Sequence, residues 1–329
     1  MRRLWGTLAL VLVGLLTVTA VSEAASVAYV DKRGVWVSSL DGKTKRKVAG
    51  QPKGKRRWQE VAQSDNGRII AVQRVPGTMS NLNRFTLWGP TGKAIHKGVL
   101  TAKSGWTSYI YPLSLDLTSN GRIAVYGYQT MTYNYPVSNL EEGTYVMPAD
   151  KNWGLTPPFA IVGEKWPTTV GNRIVAEQQD VFVGVQKTSG QPPFVDEFQG
   201  WFSTESTGLE LQRTDVSANK KIAAAELISP SGSGQDLSVI LASRISGLGG
   251  ASGSGACLLP AKGKAENVSI SQDGKSIAWQ DDRGVVAAGI PTFGGSDTCK
   301  LTRGVKVLSK TGSFPSIGAA KIAVRKGRR

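Results

Sequence analysis

The sequence predicts an all-β protein folded as a β-propeller of four-stranded antiparallel blades, six in number, with seven as the alternative. Three observations predict it. A turn-and-strand pattern recurs along residues 26–329. A third strand and another polar turn usually follow each copy, giving units of roughly 50 residues. Each end of the chain carries only part of a unit.

Residues 1–24 read as a secretion signal. Arg2 and Arg3 give the positive start, Leu8 to Val21 the apolar stretch, and Ser22-Glu23-Ala24 a small-residue site with cleavage expected after Ala24. A retained anchor is the rival reading, but the stretch falls short of the roughly 20 residues that span a bilayer. The leader has no cysteine to carry a lipid, and no later segment is apolar enough to cross a membrane. Residues 25–329 are therefore expected as a single propeller domain, secreted or in the periplasm or cell envelope.

The repeats open with Ser or Thr, continue through Asn, Asp or Gly to Lys or Arg, and end in a β-branched and Ala-rich strand. The clear copies are Ser64-Asp65-Asn66-Gly67-Arg68, Thr118-Ser119-Asn120-Gly121-Arg122 and Ser271-Gln272-Asp273-Gly274-Lys275. Weaker ones start at Val170, Ser217 and Ile317, the last leading into a strand at Ile322. Asn, Asp and Gly tolerate the positive φ of a tight hairpin, so each copy reads as strand, turn, strand. Third strands follow at Val35 to Val37, Phe85 to Trp88 and Thr144 to Met147.

In Ser269 to Trp279 and Val27 to Gly42 the chain resembles the TolB-type, WD-like propeller repeat, in which a Pro-x-Trp-Ser-Pro-Asp-Gly-Lys-like turn precedes an Ile-Ala-Phe strand, an Ile-Tyr-Val strand and Asp-Gly. The likeness extends over nearly all of residues 26–329. The leading Trp and the turn Pro are missing from most copies, and the N-terminal domain of TolB is absent. The resemblance implies the fold and leaves TolB's role aside.

The first unit, from Val27, lacks an innermost strand, and the last, from Phe314 to Val324, stops before its outer strands. Joined in one sheet they would close the ring and leave no open edge at the seam.

In an up-and-down blade the first and third connections open on one face and the second connection and the blade-to-blade link on the other. The second connections are expected as the long ones: residues 74–84, 127–143, 187–200 and 228–237. Binding groups favour long loops on a rigid scaffold. Tyr128, Tyr133, Tyr135 and Trp201, with Trp106 on a neighbouring link, are the aromatic candidates; the alternative is that these rings pack their own loops down.

Charge supplies a second clue. The chain has 40 Lys and Arg against 24 Asp and Glu, more than solubility needs. Lys53, Lys55, Arg56 and Arg57 stand in one concentration, with Lys43, Lys45, Arg46 and Lys47 just before it; Arg325, Lys326, Arg328 and Arg329 form another. These suggest a polyanionic or carbohydrate partner, or a protein or polymer of the envelope. Solvated charged faces are the plain reading, and no motif for sequence-specific nucleic acid is present.

The single histidine, His96, leaves no His pair or Ser-His-Asp relay. No calcium loop, metal site or cofactor motif is found. A non-enzymatic binding or interaction module is therefore expected. The alternative is a glycoside hydrolase or lyase using loop carboxylates among Glu141, Glu142, Glu177, Asp196 and Glu197. Cys257 and Cys299 are expected to form a disulfide in an oxidising compartment.

Overall fold

The computed structural model describes residues 25–75, 82–101, 108–134, 137–151, 159–162, 164–178, 182–183, 202, 208–230, 232–247, 255–294 and 297–322. Within them the chain is a β-propeller without helices. β1 (Ser26–Asp31), β2 (Gly34–Ser39) and β3 (Lys45–Gly50) open the chain as a meander. The next sheet holds β4 (Arg57–Gln63), β5 (Ile69–Arg74), β6 (Leu82–Trp88) and β7 (Ala94–Thr101). β8 (Ser108–Leu117), β9 (Ile123–Asn134), β10 (Val137–Pro148) and β11 (Phe159–Val162) follow. A three-stranded sheet holds β12 (Glu164–Val170), β13 (Arg173–Gln178) and β14 (Phe182–Val183).

Beyond it come β15 (Glu210–Val216), β16 (Ile222–Ile228), β17 (Ser238–Arg244) and β18 (Cys257–Leu258) in one sheet. The following sheet holds β19 (Glu266–Ile270), β20 (Ser276–Asp281) and β21 (Gly284–Gly289). An excursion through the small hairpin β22 (Pro291–Thr292) and β23 (Lys300–Leu301) precedes its outer strand, β24 (Lys306–Ser309). β25 (Gly312–Gly318) then pairs with β1 and completes the first sheet in the order β25-β1-β2-β3. Five four-stranded blades are thus complete among the described residues, fewer than the six expected. At the expected final strand, Ile322 instead packs against the core between the first two sheets, and β1 takes the second-strand place beside β25.

Strand sequences follow from burial on both faces. In β1, Val27 and Tyr29 pack toward β20, β21 and β24, whereas Ala28 and Val30 pack toward β4 and β5. Alternate side chains of one strand thus enter two different interfaces, and all six residues of β1 are buried. The same logic gives Ile222 and Ala224 to one side of β16 and Ala223 and Ala225 to the other. Period-two alternation of polar and apolar residues disappears as a result.

The recurring turns do more than reverse the chain. Ser64 Oγ accepts from Arg68 N at 3.1 Å, and Ser271 Oγ accepts from Ser276 N at 2.9 Å, which closes each turn on its first residue. Neighbouring turns also bond to one another: Asn66 Nδ2 donates to Asn120 O at 2.6 Å, Ser119 N to Gly171 O at 2.8 Å, and Asn219 Nδ2 to Asp273 O at 2.7 Å. The Asn residues therefore link blade to blade.

The second connections differ from expectation in two ways. Residues 127–143 are mostly strand, because β9 and β10 run on for 12 residues each and pair along their whole length. Two sheets use a tight Asp-x-Arg-Gly turn, Asp31 to Gly34 and Asp281 to Gly284. Asp31 accepts from Arg33 N at 2.7 Å and Trp36 Nε1 at 2.9 Å; Asp281 accepts from Arg283 N and Trp279 Nε1, both at 2.9 Å. Gly284 has φ +93°, and a Cβ there would lie 2.0 Å from Ser309 O.

Cys257 and Cys299 form a disulfide with Cα atoms 4.9 Å apart. It ties β18 to the excursion between β21 and β24, and so joins two adjacent sheets. No described helix is long and apolar enough to cross a membrane.

Candidate functional site

One cavity touches the innermost strands β4, β8, β12, β15, β19 and β25 and is the central channel. Each of these strands is irregular as it enters the channel. Register shifts fall between Trp58 and Glu60, Pro112 and Ser114, Lys165 and Thr168, Leu211 and Arg213, and Glu266 and Ser269, and the β1–β25 pairing shifts likewise. A bulge of this kind re-aims the side chains that follow it. Three bulge residues are left-handed without being glycine: Trp166 at φ 58°, Asn267 at 55° and Phe314 at 53°. Such backbone costs about 1–3 kcal/mol apiece and persists only where its surroundings hold it. Gln280 holds two of them, its Oε1 accepting from Asn267 Nδ2 at 3.1 Å and from Phe314 N at 3.4 Å.

On the face of the second connections the channel widens into a cavity of about 500 Å³. Half-buried Trp166 and Phe314 flank Arg213, whose guanidinium carbon lies 5.4 Å and 5.7 Å from their ring centroids. Arg213 Nη2 donates to Glu60 Oε1 at 2.9 Å. Glu226 Oε2 accepts from Asn267 N at 2.7 Å. Burial raises the Glu60 carboxyl to about 7 against the opposing pull of Arg213, and burial raises Glu226 to about 7 in the same way. Near neutral pH this mouth presents a guanidinium, carboxylates that hold part of a proton each, an amide and two rings.

Deeper in the channel, Asp116 and Asp215 face the lumen across Thr168, whose Oγ1 lies 3.3 Å from Asp116 Oδ2 and 3.2 Å from Asp215 Oδ1. Their work is structural. Asp116 accepts from Leu117 N and, on the next sheet, Thr169 N; Asp215 accepts from Val216 N and, on the next sheet, Ile270 N. Ser269 and Ser316 accept from Ile317 N and Gln63 N at the equivalent seams. Depth in the channel raises both aspartates, and for Asp215 the charge of Asp116 adds to the effect.

Among the described residues, those proposed from sequence do not line this mouth. Tyr128 is fully buried and stacks on Tyr145 at 3.9 Å, so it is core of the β8–β11 sheet and presents nothing to a ligand. Trp106, Tyr135 and Trp201 lie outside the described residues, as do Asp196, Glu197 and the basic residues 325–329; Tyr133 falls on β9, Glu141 on β10 and Glu177 on β13, with side chains outside the description. Glu142 is engaged by Gln129 Nε2 at 2.8 Å. Lys53 and Lys55 are exposed on the link from β3 to β4, Arg56 is half-buried, and exposed Arg57 starts β4 and donates to Gly54 O at 2.9 Å. His96 sits on β7 against Phe85, ring centroids 5.6 Å apart. Sequence reasoning missed Glu60, Trp166, Arg213, Glu226 and Phe314. The available signal was a charged residue inside an otherwise apolar strand, as in Ala224-Ala225-Glu226-Leu227.

No family model matches the chain, and no curated protein does. Solved structures similar to it include a protein assigned as 6-phosphogluconolactonase from Bacteroides uniformis, at 13% identity over 86% of this chain and 83% of that one, TM-score 0.45. A protein assigned as TolB from Agrobacterium tumefaciens is similar at 11% identity over 89% and 97%, TM-score 0.44. A GH74 enzyme from Niastella koreensis is similar at 8% over 91% of this chain and 53% of that one, TM-score 0.43. At such identities and scores these similarities assign neither family nor activity, which rest on the chain's own residues.

Proposed function

We propose that the protein is an exported, non-enzymatic binding propeller whose ligand enters the channel mouth. The observation that carries this reading is the cavity of about 500 Å³ in which Trp166 and Phe314 flank Arg213 between Glu60 and Glu226. Rings beside convergent donors and acceptors suit a polyhydroxylated ligand, and a carbohydrate of the cell envelope or extracellular space is the class this composition favours. Strain at Trp166, Asn267 and Phe314 supports a site, since such strain gathers where a scaffold holds binding groups in place.

The architecture proposed with it is a six-bladed ring. The β12–β14 sheet counts as a blade, and the β25–β1 pairing closes the circle. In support, the innermost strands neighbour one another in cyclic order, β25 with β4 and β19, β8 with β4 and β12, and β15 with β12 and β19. Export is supported by the leader and by the disulfide.

Glycan-array binding of residues 25–329, repeated with Trp166→Ala, tests the proposal: binders should be lost in the variant while its thermal unfolding shows a single native-like transition. Binders that ignore the substitution would move the site elsewhere. A second reading is favoured by one observation, the elevation of Glu60 and Glu226 to about 7, the range of a glycosidase general acid. Release of reducing sugar from a bound glycan, abolished by Glu226→Gln, would replace the binding proposal with that enzyme.

A further inference from the structure

The positive charge of this protein is concentrated in one part of the fold. Residues 42–115 hold fourteen Lys and Arg against two acids, Glu60 and Asp65, and so carry twelve of the chain's sixteen net positive charges. Glu60 is buried against Arg213 in the channel, and Asp65 accepts from Ala319 N at the turn face. Neither acid reaches the outer surface of this stretch.

The described part of that stretch includes β3, the whole β4–β7 sheet and most of β8, and between β3 and the β4–β7 sheet lies a groove of about 530 Å³. Arg84 and Lys97, both exposed, stand on its walls with Gln73, and no carboxylate lines it. Arg46 crosses from β3 to the neighbouring turn, its Nη2 donating to Pro90 O at 2.8 Å. Arg56 lies close enough to Arg84 that, after burial, this like charge lowers its pKa. The floor is apolar. Trp58 and Trp88 sit there edge to face with centroids 5.3 Å apart, and only 7% and 5% of their surfaces are exposed.

We infer that this groove is a docking site for a linear anionic polymer whose phosphodiesters join small polyols. Guanidinium groups beside a lysine, with no competing carboxylate, match phosphate oxygens. A groove of this size takes a few units of a single chain. Its concavity does not fit a flat bilayer, and its tryptophans offer no open face for stacking nucleobases. Charge complementarity thus selects the phosphodiester, and the closed aromatic floor selects against bases. The groove is separate from the channel mouth, so the inference holds or fails independently of what the mouth binds.

The test is fluorescence polarisation of labelled poly(glycerol phosphate) with residues 25–329 across a salt series, beside oligothymidylate and anionic vesicles. Arg84→Ala/Lys97→Ala should weaken polymer binding at least tenfold and reduce the slope of log affinity against log salt by one to two, with thermal unfolding unchanged. Lys151→Ala/Lys300→Ala, which removes two exposed cations away from the groove, one after β10 and one on β23, should cost less than threefold. The inference is overturned by no polymer binding at low salt, by equal losses in the two double variants, or by tighter binding to oligothymidylate or vesicles than to polymer.

Discussion

Arg213→Met removes the cation that stands between two buried carboxylates while keeping most of the side-chain volume. Glu60 and Glu226 are 5% and 4% exposed, and both sit near 7 even with Arg213 present. In the wild type the sign of the pH dependence follows directly. A carboxyl raised from 4.5 to about 7 on folding binds more protons in the native than in the unfolded chain between those values. Its contribution is therefore full below about pH 4.5 and is lost as pH rises through about 7. Each unit is worth about 1.4 kcal/mol, so stability should rise by on the order of 2–3 kcal/mol per group between pH 8 and pH 5. Without Arg213 both groups climb further. Breaking a buried ion pair from one side costs about 3–5 kcal/mol, and that full loss should appear at pH 8, where both carboxyls resist ionising. At pH 5 they are protonated in both proteins and the loss should shrink to roughly half. Urea unfolding of both proteins at the two pH values measures this. An equal loss at pH 5 and pH 8, or a loss under about 1 kcal/mol at pH 8, would refute the assignment of Arg213 as the neutralising cation of the mouth.

Reducing the Cys257–Cys299 bridge, or replacing both residues by Ser, should cost about 2–4 kcal/mol, read as a lower urea midpoint; an unchanged midpoint would show that the sheets hold without the staple. Asp215→Ala orphans Ile270 N and Val216 N and should cost roughly 2 kcal/mol or more. Asp215→Ser should recover part of that loss, since Ser269 and Ser316 serve the equivalent seams; indistinguishable Ala and Ser variants by thermal unfolding would count against the seam role. Gly284→Ala forces a Cβ onto Ser309 O at a positive φ and should lower the melting temperature by several degrees; an unchanged value would show that the turn relaxes freely.

What could be read in the sequence was local. The Ser/Thr-to-Lys/Arg turns announce themselves because their side-chain caps and positive-φ glycines lie within five residues, as at Ser271 to Lys275. The two partial end units were legible for the same reason, and β25 does pair with β1. The disulfide needed only the two cysteines and the expectation of export. The site was not legible, because channel-facing identity depends on bulges. One extra residue between Trp58 and Glu60 decides which side chain meets the lumen, and no composition rule marks that insertion. Tyr128 misled because a run of aromatics between two strands resembles a decorated loop, whereas β9 and β10 simply continue through it. Trp166 and Phe314 lie on different innermost strands, far apart in sequence, and both stand beside Arg213.

A crystal of residues 25–329 grown with the strongest binder from a glycan array tests the channel mouth most directly. Sugar density between Trp166 and Phe314, with hydroxyls on Arg213, Glu60 or Glu226, is the result predicted. Density seated on another face, with the mouth unchanged, would contradict the proposal.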